Sequence, residues 1–366
     1  MNISRCKRLI DEAINRFDLD LSGFTILTEA ASGNYVLTPL LAALAGAEQV
    51  LALTRDSTYA TASDVIIETE KLASDWKVAS TIQIHTSRYA PQLATADIVT
   101  NSGFVRPLDV EFLDRLHERI VIPLMWETWE FRERDLDLAA CRHRGIPVLG
   151  TNEESAQLQT QDYLGHVAMR LLFSLDIEVF RSRIAVLGSG SFSEQVCETL
   201  KLAGAEVESF CTTDWTSAMS ESNGHFLRFA DALVVVEHES RAPLIGLGTA
   251  VTANNLLRIN PGLAIAHLCG SVDRDTLASA GLRCAPSIFR PVGYMSVATD
   301  YVGPRPLIDL HAAGLKVGQS MAEARRAGLN GRQAELAVLD KLVLAQGFAG
   351  YHSVAPAKPA KMSVLD

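Results

Sequence analysis

Residues 183–211, RIAVLGSGSFSEQVCETLKLAGAEVESFC, decide how this chain is read. Arg183 to Leu187 form a short apolar run of strand character. Gly188, Ser189 and Gly190 supply a tight turn, and a helical pattern continues through Val196, Leu200 and Leu202 until Gly204 stops it. Val207 to Phe210 begin a second strand. Strand, glycine turn and helix in this order open a βαβ unit whose first helical N–H groups can meet a pyrophosphate.

On the N-terminal side, FTILTEA, QVLALT, IQIHT, DIVTNSG, RIVIPLM and IPVLGTN read as short strands ending in polar residues. Helical stretches such as TPLLAALAGA and LDVEFLDRLHE lie between them. This alternation predicts an α/β fold with mainly parallel sheets. A substrate domain is expected over 1–155, an interdomain helix over 156–179 and a nucleotide domain over 180–295. Two C-terminal helices within 305–352 are expected to pack back on the first domain. The tail VAPAKPAKMSVLD reads as mobile.

With 366 residues, 48% hydrophobic and 21% charged, the composition fits a soluble two-domain protein. A net charge of −10 argues against nucleic-acid or membrane partners. No apolar run reaches the about 20 residues that span a bilayer. The amphipathic start MNISRCKRLIDEAINRF does not read as a signal peptide. The cysteines form no C-x-x-C pair, so no metal site or disulfide framework is expected, and a reducing cytoplasm is the simplest setting.

Over roughly residues 95–300 the chain resembles the D-isomer-specific 2-hydroxyacid dehydrogenases of formate and glycerate dehydrogenase type. S-adenosylhomocysteine hydrolase is a structural cousin. ADIVTNSGFVRPLDVEFLDRL is similar to the family's substrate loop, LGSGSFSEQVCETLKLAGAEV to its nucleotide turn, and LAIAHLCGSVDRDTL to the strand and loop facing a nicotinamide. The resemblance implies two doubly wound parallel-sheet domains, a Rossmann nucleotide-binding domain and a flavodoxin-like substrate domain. It implies NAD, with NADP possible, held by Gly188, Gly190, Ser191, Phe192, Cys211, Thr212, Asp214, Glu237, His238 and Leu268. A homodimer is implied by resemblance alone.

The departures shape the functional reading. Ser193 replaces the third glycine, and no acid stands at Cys211, although Asp214 is close. No Lys or Arg lies between Lys201 and Arg228 to hold a 2′-phosphate. The family's catalytic arginine is missing near Leu268, and its histidine is missing near Gly293. Oxidation of 2-hydroxyacids is therefore not carried over.

Other residues become candidates. His267, at a strand end, suits proton transfer, or is a structural histidine bonded to backbone. Tyr294 can donate to a substrate carbonyl, or is an aromatic buried at a hinge. Asn101, Ser102 and Gly103 can bind a carboxylate, or merely form a turn. Trp126, Glu127, Trp129, Glu130 and Arg132 can shape a pocket for a polar substrate, or start a capped helix. Glu29, Ser32 and Asn34 end the first strand, where capping is the simpler role. Arg305 and Lys316 can hold an anion across the cleft, or are solvated. The resulting expectation is an oxidoreductase acting on a carbinol or carbonyl carbon of a small metabolite in the interdomain cleft. Two rivals stay open: transient oxidation by tightly bound NAD during hydrolysis or elimination, and a non-enzymatic nucleotide sensor or scaffold.

Overall fold

The computed structural model describes residues 2–219 and 225–348. The tail at 354–366, expected to be mobile, lies outside the described residues, as do positions 349–352 at the end of the C-terminal helical region.

Each of the six N-terminal apolar runs forms a strand. They are β1 (Thr25–Glu29), β2 (Gln49–Leu53), β3 (Ile82–His85), β4 (Ile98–Val99), β5 (Ile122–Pro123) and β6 (Val148–Thr151). Parallel pairing gives β3-β2-β1-β4 and β5-β6, and a bridge from Ile98 to Val121 joins the two sets. The order 3-2-1-4-5-6 is the doubly wound order of dinucleotide-binding sheets, with one strand more than the flavodoxin-like order 2-1-3-4-5.

In the second domain, β7 (Arg183–Leu187), β8 (Glu206–Phe210) and β9 (Ala232–Val236) are followed by β10 (Pro243–Ile245), β11 (Ala264–Cys269), β12 (Ser271–Val272) and β13 (Arg283–Ala285). Five of these form a parallel sheet ordered β13-β11-β9-β7-β8, while β10 and β12 make a separate ribbon. β9 and β11 are buried along their whole length, as expected of strands covered on both faces. β8 is mostly exposed and is the edge strand among the described residues, so this sheet lacks the strand that a six-stranded Rossmann sheet places beyond it. The strand order reverses at β7, and the glycine turn follows that strand, where doubly wound sheets place ligands.

The interdomain helix differs from its expected extent. It runs from Leu164 to Ser174, preceded by a 3-10 turn over Thr160–Tyr163. Gln159 takes a left-handed conformation at φ 54°, which a continuous helix cannot contain. The LDVEFLDRLHE run likewise keeps only one helical turn, Val110–Leu113.

The chain returns to the first domain through residues 286–303. Helix Pro304–Arg326 packs on the N-terminal helix Ile3–Phe17 and on β4, β5 and β6. Leu9, Ile10, Ile308, Ala312, Val317 and Met321 share one core with residues of β1 and β2. Strand β14 (Ala345–Gln346) closes that sheet antiparallel to β6. No helix among the described residues is long and apolar enough to cross a membrane.

Candidate active site between the two domains

The glycine turn is built by close packing. A Cβ on Gly188 would lie 2.3 Å from the Val236 carbonyl oxygen, so only glycine lets β7 end against β9. Gly190 has φ +67° and opens the helix Gly190–Leu202. Ser189, the residue before it, makes no side-chain capping bond. The first helical N–H groups therefore lack a side-chain cap and face a favourable place for an anion.

Two of the chain's own carboxylates gather there. Glu239 reaches the spot a Gly190 Cβ would fill, its Oε1 2.1 Å from that point, and Ser191 Oγ donates to Glu154 Oε1 at 2.9 Å. Glu239 is exposed at the far end of a rotatable side chain, so it can swing away. A glycine turn with no side-chain cap at its helix fits a phosphate group, and the Glu239 side chain occupies the space beside Gly190. Beside it, Glu237 Oε1 accepts from the N–H groups of Glu239 and Ser240, while its Oε2 is buried without a partner. Thr212 lies 3.4 Å from Ser189 between hydroxyls, and Cys211 is exposed. Asp214 precedes the short helix Trp215–Ala218.

His238 stacks on Phe192 at 3.9 Å, and Trp129 of the first domain meets both rings edge-on. Phe192 and Trp129 then wall a chamber of about 210 Å³ between the domains. It opens into an outer cleft of about 1200 Å³ at the ends of β1, β2 and β4. Tyr35, Arg106, Trp126, Tyr294, Asp300 and His311 line both spaces.

The chamber concentrates titratable groups. Burial pushes the Glu130 carboxyl up to about 7; Arg132 and Arg106 restrain the rise and Glu127 adds to it. Glu153 is held well above the ordinary range by burial, then by repulsion from Glu127 and Glu130. Asp135 goes the other way. Burial opposes its ionisation, but hydrogen bonds from Arg132 Nε at 2.6 Å and Arg106 Nη1 at 2.7 Å outweigh it and keep the carboxyl below its usual range. Burial holds His311 down to about 4, so its ring is neutral near pH 7, sharing a 3.1 Å hydrogen bond with Thr38. Burial also raises Asp300, against the hydrogen bond it accepts from Asn34.

Several predicted residues meet here and others do not. Tyr294, Ser102, Gly103 and Trp129 line the chamber or cleft. Glu127 is buried beside it, accepting from Trp129, Gln161 and Gln346. Asn101 faces elsewhere: its Oδ1 accepts from the Met125 N–H, bracing the strand ends. Arg305 pairs with Glu12 of the N-terminal helix, and Lys316 donates to the Asp18 carbonyl, so neither lines the cleft. Leu268 is fully buried in β11.

His267 is also fully buried. Its Nε2 donates to the Gly270 carbonyl at 3.0 Å, and its Nδ1 pairs with Ser296 Oγ at 2.8 Å. Phe289 covers the ring at 4.1 Å. Burial lowers its pKa to about 4, leaving a neutral imidazole with both nitrogens engaged. The expected proton carrier is thus walled off from the cleft.

No family model and no curated protein matches the chain. Solved structures do. A dipicolinate synthase chain from Bacillus subtilis is similar with a TM-score of 0.52 at 12% identity, over 84% of this chain and 99% of that one. The corresponding dipicolinate synthase chain from Bacillus halodurans gives 0.51 at 12% identity, over 80% and 96%. The likeness shows the fold: the chain has the two-domain α/β architecture that its sequence resemblance predicts.

Proposed function

We propose that this protein is a nicotinamide-dependent oxidoreductase acting on a carbinol or carbonyl carbon of a small polar metabolite in the interdomain cleft. One observation carries the reading. Phe192 belongs to the helix of the glycine turn and also walls the chamber of acidic and basic side chains, so nucleotide cradle and reaction chamber adjoin.

NAD is the expected cofactor, with NADP possible, and when bound it supplies the hydride donor or acceptor. Gly188, Gly190 and Ser191 would hold its pyrophosphate once Glu239 turns outward, with Thr212 and Asp214 near the ribose. The protein handles the proton. Glu130, near 7, can both release and accept a proton at neutral pH, the property a general acid–base needs. Tyr294, whose hydroxyl oxygen accepts from Arg134, is the second proton donor. Ser102 and Gly103 orient the substrate from the first domain, and Trp129, Phe192 and Leu164 give the chamber an apolar side.

The test is Glu130→Gln. Nucleotide affinity should stay within about twofold while turnover falls by roughly 10²–10⁴-fold. Unchanged turnover and an unchanged pH–rate profile would remove Glu130 from the reaction.

A further inference from the structure

The chamber contains two carboxyl groups to which no described side chain or backbone N–H donates a hydrogen bond. Glu130 and Glu153 both line it, and among the described residues neither side chain accepts a hydrogen bond. Neighbouring acids are served differently. Glu29 accepts from the Phe104 N–H at 3.0 Å, and Glu127 accepts from the Trp129 indole at 3.0 Å. Glu153 is only 9% exposed, and the surface Glu130 keeps faces the chamber. Arg106 and Arg132 also reach the chamber, but Arg106 donates to Asp135, and Arg132 to Asp135 and the Gly293 carbonyl. A carboxyl confined in a small chamber and given no donor by the protein is costly to ionise, and a cationic group arriving with the substrate offsets that cost. The surrounding Trp129, Phe192, Met125 and Leu164 suit an organic cation's carbon chain and aromatic-facing charge. Among the described residues no group of His, Cys, Asp and Glu is arranged to hold a metal ion.

The outer cleft has the opposite character. Arg170 and Arg290 line it, exposed, and form no ion pair with any described acid. Their neighbours are aromatic: Arg170 sits over the Tyr301 ring at 4.2 Å, and Arg290 lies 3.5 Å from the Tyr59 hydroxyl. The acids of this cleft are already served, Glu29 by Phe104 and Asp300 by Asn34.

We infer that the substrate is a zwitterion, with an ammonium group placed against Glu130 and Glu153 in the chamber and a carboxylate or phosphate group held by Arg170 and Arg290 in the outer cleft. This deepens the reading of the cleft as the substrate site and rests on it.

The experiment is calorimetric titration of the full chain at neutral pH, without nucleotide. The probes are 4-aminobutanoate, O-phosphoethanolamine, butanoate and butylamine. At least one zwitterion should bind about tenfold or more tighter than butanoate and butylamine. Preference between the first two probes tells a carboxylate from a phosphate. The Glu130→Gln/Glu153→Gln double variant should lose that advantage while binding butanoate as before. Arg170→Ala/Arg290→Ala should weaken the zwitterion and leave butylamine unchanged. Should the double variant not fold, butylamine binding to the unaltered chain serves instead, and it should strengthen as pH rises through the Glu130 transition.

Three results would overturn the inference. They are no zwitterion binding below about 10 mM, butanoate binding as tightly as either zwitterion, or butylamine binding that ignores pH across that transition. Nucleotide binding is read separately. Its failure alongside zwitterion selectivity sinks the oxidoreductase reading only, and the reverse sinks only the substrate class.

Discussion

The Arg132 guanidinium sits over the ring of Tyr294, 3.6 Å from its centroid, and donates to the Gly293 carbonyl at 3.0 Å. Arg132 belongs to the first domain and Tyr294 to the segment returning from the second, so this stack joins the domains at the chamber wall. Arg132 also holds Asp135, which in turn holds Arg106. Arg132→Ala should therefore cost about 1–3 kcal/mol in urea unfolding. Arg132→Lys should recover little of it, because an ammonium cannot stack and fork at once. A fully restored lysine variant would show that charge alone matters here.

Glu130 makes stability depend on pH in a stated direction. Its carboxyl titrates at about 7 when folded against an ordinary 4.5, so between these values the folded state holds more protons than the unfolded state. Stability should fall as pH rises through that window. Glu130→Gln removes the ionisation and should be more stable than the parent at about pH 8, by on the order of 1–3 kcal/mol, with the difference fading near about pH 4. Urea unfolding across pH checks this, and a glutamine variant that is less stable at high pH would contradict it.

Much of this architecture is legible in the sequence, and the chamber much less so. The runs of β1, β2, β4, β5 and β6 are strands because parallel strands buried on both faces need such runs, whereas β3 is a part-buried edge strand. The turn at Gly188 to Gly190 is legible because close packing against Val236 admits no side chain there. The chamber draws on Tyr35, Arg106, Glu130, Glu153 and His311, which come from distant segments and show no common spacing. Glu130 and Arg132 stand out in their tryptophan-rich run, and Glu153 just follows β6, where strand-end reasoning reaches. His311 sits inside an apolar helix and gives no such signal. His267 shows the limit of that reasoning. The strand runs on past it to Cys269, and Ser296 and Phe289, brought back by the crossing segment, seal it off.

Gly188→Ala should be the most damaging single methyl in the nucleotide domain. The obstacle is the Val236 backbone at 2.3 Å, which cannot rotate away as a side-chain end can. A loss of about 2–4 kcal/mol is expected in urea unfolding. Gly248→Ala is the control. Nothing lies within 4 Å of its added Cβ, and only its φ of +76° opposes the change. It should cost about 1 kcal/mol. Equal losses at the two sites would argue against tight packing of β7 on β9.

Glu239→Ala should open the glycine turn to an incoming anion. Removing a carboxylate from the helix N-terminus should tighten nicotinamide nucleotide binding roughly two- to fivefold, read by fluorescence titration. Unchanged or weaker binding would mean that the side chain does not compete for that place.

The central claim is that the glycine turn and the acid-lined chamber together form a nicotinamide-dependent site. Trp129 meets Phe192 and His238 beside that turn, so a bound reduced nicotinamide should accept its excitation energy. The decisive measurement is titration of the folded, nucleotide-free protein with NADH and with NADPH, following tryptophan-to-nicotinamide energy transfer. The account predicts saturable transfer, with NADH binding more tightly than NADPH. No saturable transfer with either nucleotide would contradict it.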